Sequence, residues 1–242
     1  MDQRDGLKPF NEILEPDVRN KYFEHINLQT GQSYQRTIAY HYQEIERYHL
    51  ANHVPDIVAT QYDMARNIYV YAWFQYNFFN IAEAQVLIVL ELAMKERVGK
   101  EELKLYISKR KKEHQRRTGK KLSLSRGIKT LMEYCRDHEL VCNEGFTRWH
   151  QYATRQAYFK QTNGQRKWPQ EEMKRTEEER IDLSEVVLER PLPDSSYNHV
   201  QFLIDHTNKS RNDYAHGSTI LHNQVIDQFE MVSEFINQIF SK

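Results

Sequence analysis

The chain has 242 residues, and its 34 lysines and arginines balance 34 aspartates and glutamates. Zero formal charge excludes a global pull toward nucleic acid, so any such attraction must come from a local patch. With 8 glycines and 6 prolines, the composition favours long helices with few tight turns and a single all-α domain, or one and a half.

Residues 1–54 read as an N-terminal extension. The first 32 are polar, with Pro9, Pro16 and Gly31, and a short helix is expected after Pro16. A second helix is expected from Ser33, which can cap it, because Ile38, Tyr42, Ile45 and Tyr48 recur on one face. His49 and His53 stand four apart with Glu46 on the same side. That spacing suits a metal on a helix, or simply an exposed amphipathic helix rich in Tyr and His, and no metal is assigned to it.

Pro55-Asp56 opens the largest helical pattern, which runs to Val98 with Gly99 as its stop. Its middle is apolar on most sides. Asn77, Asn80, Glu83 and Glu91 interrupt it, so a central bundle helix fits better than a membrane span, with a break near Asn77 to Asn80. Tyr69, Trp73, Phe74, Phe78 and Phe79 are expected in the core rather than on a base-stacking platform. Glu83 needs either a cationic partner, for which Arg211 is the candidate, or a tyrosine hydroxyl.

Between Lys104 and Lys129 the only acid is Glu113. Lys109, Arg110, Lys111, Lys112, Arg116 and Arg117 are candidate RNA-binding residues, since phosphate attraction is sequence-independent and electrostatic. The alternative is a solvated, partly disordered charged segment. Ser125 is expected to cap a helix that turns Ile128, Leu131, Met132 and Cys135 inward and ends near Leu140. Residues 145–195, aromatic and basic and then acidic, read as an insertion between bundle helices. The last helix shows one stripe of Val225, Phe229, Val232, Ile236 and Ile239, and is expected antiparallel to the helix before it.

Between these last two patterns lies Arg211-Asn212-Asp213-Tyr214-Ala215-His216-Gly217. Val200, Leu203, Ile204 and Tyr214 have helical spacing, and Arg211 falls inside their stripe. A core-facing arginine costs several kcal/mol unless a partner or bound anion satisfies it. Asn212 and His216 are four apart and share a face, and Gly217 suits the residue just past a helix end.

The heptapeptide resembles the Arg-x4–6-His signature of the HEPN superfamily, with a polar residue after the arginine and an Ala-His-Gly ending. The resemblance covers the motif and the helical patterns around it, 57–98 and 197–240. It implies an up-down helical bundle and, in many members, a metal-independent endoribonuclease with its site at a dimer interface. Other members are non-catalytic binding or assembly modules. A toxin or phage-defence setting, and an antitoxin-like or regulatory partner, are likewise what the family implies.

The residues suit that chemistry. When the RNA 2′-hydroxyl attacks its own phosphate, a proton must leave one side of the phosphorus and another must reach the leaving oxygen. Histidine exchanges protons near neutrality, so His216 is assigned as general base or acid. Arginine stays charged and donates two parallel hydrogen bonds, so Arg211 is assigned to the phosphate and Asn212 to orientation. No cofactor is required. One histidine per chain for two proton transfers points to a homodimer. Cys135 and Cys142 lack CxxC or zinc spacing, and MDQRDGLKPFNE has no apolar signal-peptide core, so a cytoplasmic protein with reduced thiols and no membrane attachment is expected.

Overall fold

A computed structural model describes residues 6–26, 30–152, 154–155, 197–215 and 224–241. Among them the chain is all-α apart from one small ribbon. Short 3-10 turns at Phe10–Glu12 and Val18–Tyr22 precede β1 (Glu24–Ile26) and β2 (Ser33–Gln35), which pair antiparallel with His25 opposite Tyr34. Then come α1 (Ile38–Glu46), α2 (Asp56–Tyr71), α3 (Phe78–Val98), α4 (Lys100–Thr118) and α5 (Ile128–Asp137). A 3-10 turn at Asn143–Gly145 and α6 (147–152) precede α7 (His199–Ala215) and α8 (Ile226–Phe240). Two compact units result: Met1–Leu140 with Ile204–Lys242, and Val141–Leu203.

The first unit is built around α3, which packs against α2, α8, α5 and α4. Its sequence explains the position. Phe79, Ala82, Val86, Leu87, Leu90, Ala93 and Met94 are buried on several sides of the helix, as an all-round apolar pattern requires. Each large side chain buried this way contributes about 1.5–3 kcal/mol. Tyr69 of α2, Phe79 of α3 and Phe229 of α8 meet edge to face, with centroids 5.4 and 5.6 Å from the Tyr69 ring. The expected stripe of α8 is buried at Phe229, Val232, Ile236 and Ile239. Arg97 of α3 donates its Nε–H to the Ile239 carbonyl at 2.7 Å, satisfying one of the acceptors left at that helix end. Among the described residues no helix is long and apolar enough to cross a membrane.

The long pattern from 56 to 98 breaks at 72–77, slightly earlier than Asn77 to Asn80. The reason lies far away in sequence. The Trp73 carbonyl accepts from the Asp17 N–H at 2.9 Å and from the Asn20 amide at 2.7 Å, while the Asp17 carboxylate accepts the Tyr76 N–H at 3.0 Å. His41 Nε2 donates to the Tyr69 carbonyl at 2.8 Å. Backbone groups released by the break are thus paired by the N-terminal segment, which a buried break demands.

Three local expectations are corrected. Ser33 begins a strand and not a helix; Thr37 is the cap of α1, its hydroxyl accepting from Tyr40 N–H at 3.2 Å. Helix α1 stops at Glu46, so His49 and His53 lie in the following loop and share no helix face. That loop is held instead by Asn237 of α8, which accepts from Ala51 N–H at 2.8 Å and donates to the His49 carbonyl at 3.3 Å. Gly127, not Ser125, occupies the N-cap of α5, with the Ser125 hydroxyl accepting the Gly127 N–H. Gly99, at φ 75°, separates α3 from α4 as expected, in a conformation that suits a residue without Cβ.

In the second unit Phe146 is fully buried, Trp149 Nε1 donates to the Tyr197 carbonyl at 2.9 Å, and the Asn143 side chain accepts Val200 N–H at 2.9 Å. Asn198 caps α7 by accepting Gln201 N–H at 2.9 Å. Most of the 145–195 segment lies outside the described residues.

Candidate functional site

The basic run forms one continuous helix. α4 extends to Thr118 and stops at Gly119, which adopts the left-handed conformation of a helix terminus. Its first half is anchored by buried Leu103, Tyr106 and Ile107. From Lys109 to Arg117 it carries six lysines and arginines against Glu113 alone. Glu101 and Glu102 in the first turn and Arg116 and Arg117 in the last complement the helix dipole, which helps so polar a helix persist.

The cations are not equivalent. Lys109, Lys111, Lys112, Arg116 and Arg117 are exposed. Lys109, Lys112 and Arg116 follow one another at three- and four-residue steps, which places them in one row about 5–6 Å apart. Such a row presents positive charge to a flexible polyanion without reading bases. Arg110 is turned the other way. It donates to the Glu133 carboxylate at 2.8 Å and to the Tyr106 hydroxyl at 2.9 Å, and lies 3.7 Å from Asp137. Tyr106 in turn donates to Asp137 at 2.7 Å. Burial opposes ionisation of Asp137, but Tyr106 and Arg136 outweigh it and hold the carboxyl below its ordinary range. Burial, with the Asp137 bond, pushes the Tyr106 phenol well above its ordinary value. Arg110 therefore latches α4 to α5 rather than offering itself to phosphate.

This latch was not foreseen. Tyr106 with Arg110, and Glu133 with Asp137, are both four apart on consecutive helices, and complementary pairs at that spacing were the available signal. Above them a cavity of about 580 Å³ opens between α4 and α5, lined by Tyr106, Lys109, Glu113, Tyr134 and His138. His138 stacks on Tyr134 with centroids 3.9 Å apart, and its Nδ1 donates to the Tyr134 carbonyl at 2.9 Å. A smaller hollow of about 190 Å³ follows along α4, edged by Arg110, His114 and Arg117.

Of the motif residues, Arg211 and Asn212 lie on α7, whose helix runs through Ala215. Only the backbone is described at 208–215, and His216 and Gly217 lie outside the described residues. Glu83 is buried on α3, with 3% of its surface exposed. The core aromatics are where expected at Tyr69, Trp73 and Phe79, whereas Phe78 is exposed. Among the described residues no group of three or more His, Cys, Asp or Glu side chains is arranged to hold a metal. Cys135 is buried, which pushes its thiol up to about 12; neither it nor Cys142 is in a disulfide.

The chain matches no protein-family model, no curated protein and no solved structure.

Proposed function

We propose that this protein is a metal-independent endoribonuclease of the HEPN type that draws single-stranded RNA onto α4. The observation that carries the proposal is the RNDYAHG sequence at the end of α7, where a helix continues through Arg211 and Asn212 up to the last residue before His216. The exposed cations of α4 support the choice of substrate, because a chain with no net charge concentrates five exposed lysines and arginines on two and a half turns. Arg211 neutralises the charge that builds on the phosphorane, His216 moves the proton and Asn212 orients the reacting groups. Two chains meeting about a two-fold axis supply the second His216. The product is a 2′,3′-cyclic phosphate and a free 5′-hydroxyl, reached in cytoplasm under the control of a toxin–antitoxin or phage-defence partner. The test is incubation with end-labelled single-stranded RNA in EDTA, followed by analysis of the new ends.

A second reading keeps the fold and loses the chemistry. Burial of Glu83 favours it, since a fold-specifying ion pair with Arg211 would occupy the guanidinium. The protein is then a non-catalytic module that binds a ligand or a partner protein.

A further inference from the structure

Among the described residues, the first unit leaves one apolar face uncovered. On α2 the residues Ile57, Gln61, Met64, Ile68 and Tyr71 follow one another at alternating steps of four and three. On α3 the residues Phe78, Ile81, Gln85, Ile88, Leu92 and Lys95 do the same. This is the spacing of a coiled-coil seam. None of these side chains is in the core; Ile57, Tyr71, Ile81 and Ile88 are each about half exposed, at 57%, 57%, 49% and 53%.

The two stripes lie side by side. Gln61 meets Gln85 at 3.3 Å and the Tyr69 ring meets that of Phe79, so the helices run antiparallel. That order sets Tyr71 and Ile68 beside Phe78, Met64 beside Ile81, the glutamine pair in the middle, and Ile57 beside Ile88. From Phe78 to Leu90 the only charged residue of α3 is Glu83, and it is buried. An exposed helix face ordinarily carries charge. Here it has none for more than three turns.

We infer that a second copy of this chain covers this face, the two α2–α3 pairs forming a four-helix bundle. Three observations favour a copy of the chain over another partner. A face made of two heptad stripes is complementary to itself, each stripe offering both knobs and holes. A hollow of about 340 Å³ between Gln61, Ile88 and Leu92 can receive an isoleucine-sized side chain. The charges at the edge are paired within the chain, Asp63 with Arg66 at 2.8 Å and Glu91 with Lys95 at 2.6 Å, so the face calls for no oppositely charged protein or acidic membrane. The exposed parts of Ile57, Met64, Tyr71, Phe78, Ile81 and Ile88 amount to roughly 600 Å², at the upper limit for a monomer and most of the ~800 Å² a stable partner buries. The glutamine pair fixes the register, as single polar layers do in such bundles.

The inference rests on this face alone and does not depend on the ribonuclease chemistry of the proposed function. Sedimentation equilibrium of the full chain across the micromolar range tests it. The wild type is expected at twice 29.2 kDa. The double variant Ile81→Glu/Ile88→Glu is expected to raise the dissociation constant at least about a hundredfold while leaving helical circular dichroism unchanged, since both side chains face water in the separate chain. Met64→Lys, on the other helix, gives a second reading, and Leu105→Glu on α4 remains dimeric. A monomeric wild type, a double variant that stays dimeric, or a monomer that floats with phosphatidylserine–phosphatidylcholine vesicles would each overturn the inference. RNA cleavage by the monomeric double variant would leave this surface standing and refute the composite active site instead.

Discussion

The Asp17 carboxylate accepts the backbone N–H of Tyr76 at 3.0 Å across 59 residues of chain, and Arg19 grips the same carboxylate at 2.8 Å. Asp17 is thereby the residue through which the N-terminal extension closes the break between α2 and α3. Burial opposes its charge, yet the bonds from Arg19 and Tyr76 prevail and hold the carboxyl at about 2. Its contribution is fully present above the unfolded value near 3.8 and is lost as pH falls through 2. Asp17→Asn is expected to destabilise the protein by about 1–3 kcal/mol at neutral pH. In urea titrations the gap between variant and wild type should close as pH approaches 2; a gap that does not depend on pH would mean that the charge is irrelevant.

His41 carries a second pH dependence, of the opposite cause. It is fully buried, stacked on Tyr69 at 4.5 Å, with Nδ1 facing Arg36 at 3.2 Å and Glu44 at 4.0 Å. Burial first, and the Arg36 charge as well, lower it to about 4 from 6.5. The unfolded chain therefore binds the proton first, and stability is full above pH 6.5 and declines toward pH 4. His41→Gln keeps a donor for the Tyr69 carbonyl and cannot titrate. The slope of stability against pH between 6.5 and 4 should fall by up to about one proton, the remainder reflecting His199, which burial also lowers to about 4. An unchanged slope would show that His41 is not the titrating group.

The cations of α4 divide into the Arg110 latch and an exposed row. Arg110→Ala should lower the melting temperature, because Tyr106, Glu133 and Asp137 lose their shared donor, and should leave the salt dependence of RNA binding nearly intact. Reversing Lys109, Lys112 and Arg116 to Glu should do the reverse: an unchanged melting temperature and a slope of log affinity against log salt reduced by about 2. Fluorescence anisotropy with a single-stranded RNA reads both. Equal losses of affinity from the two variants would remove the distinction.

The helical class, the central role of α3 and the stripe of α8 were legible because each rests on a strong apolar period. The boundaries at Ser33 and at 72–77 were not, because tertiary partners decided them: strand β1 captured Ser33 to Gln35, and Asp17 and Asn20 captured the Trp73 and Tyr76 backbone. Arg110 looked like its basic neighbours since composition does not show which way a side chain on a helix turns; the carboxylates of α5 settled that. Phe78 was placed in the core by its aromatic character, yet it begins the uncovered stripe of α3. The chemistry proposed for Arg211, Asn212 and His216 rests on a pattern of residue types, and their side-chain geometry lies outside the described residues.

The central claim is that the Arg211–His216 pair cuts RNA without metal. The direct measurement is the single-turnover rate of RNA cleavage in EDTA for the wild type, Arg211→Ala and His216→Ala, with circular dichroism of each. The account predicts 2′,3′-cyclic phosphate ends from the wild type and a loss of about 10²–10⁴ in rate for His216→Ala, with the helical content of both variants preserved. A His216→Ala protein that cuts at the wild-type rate, or a wild type that binds RNA and leaves it whole, would contradict it.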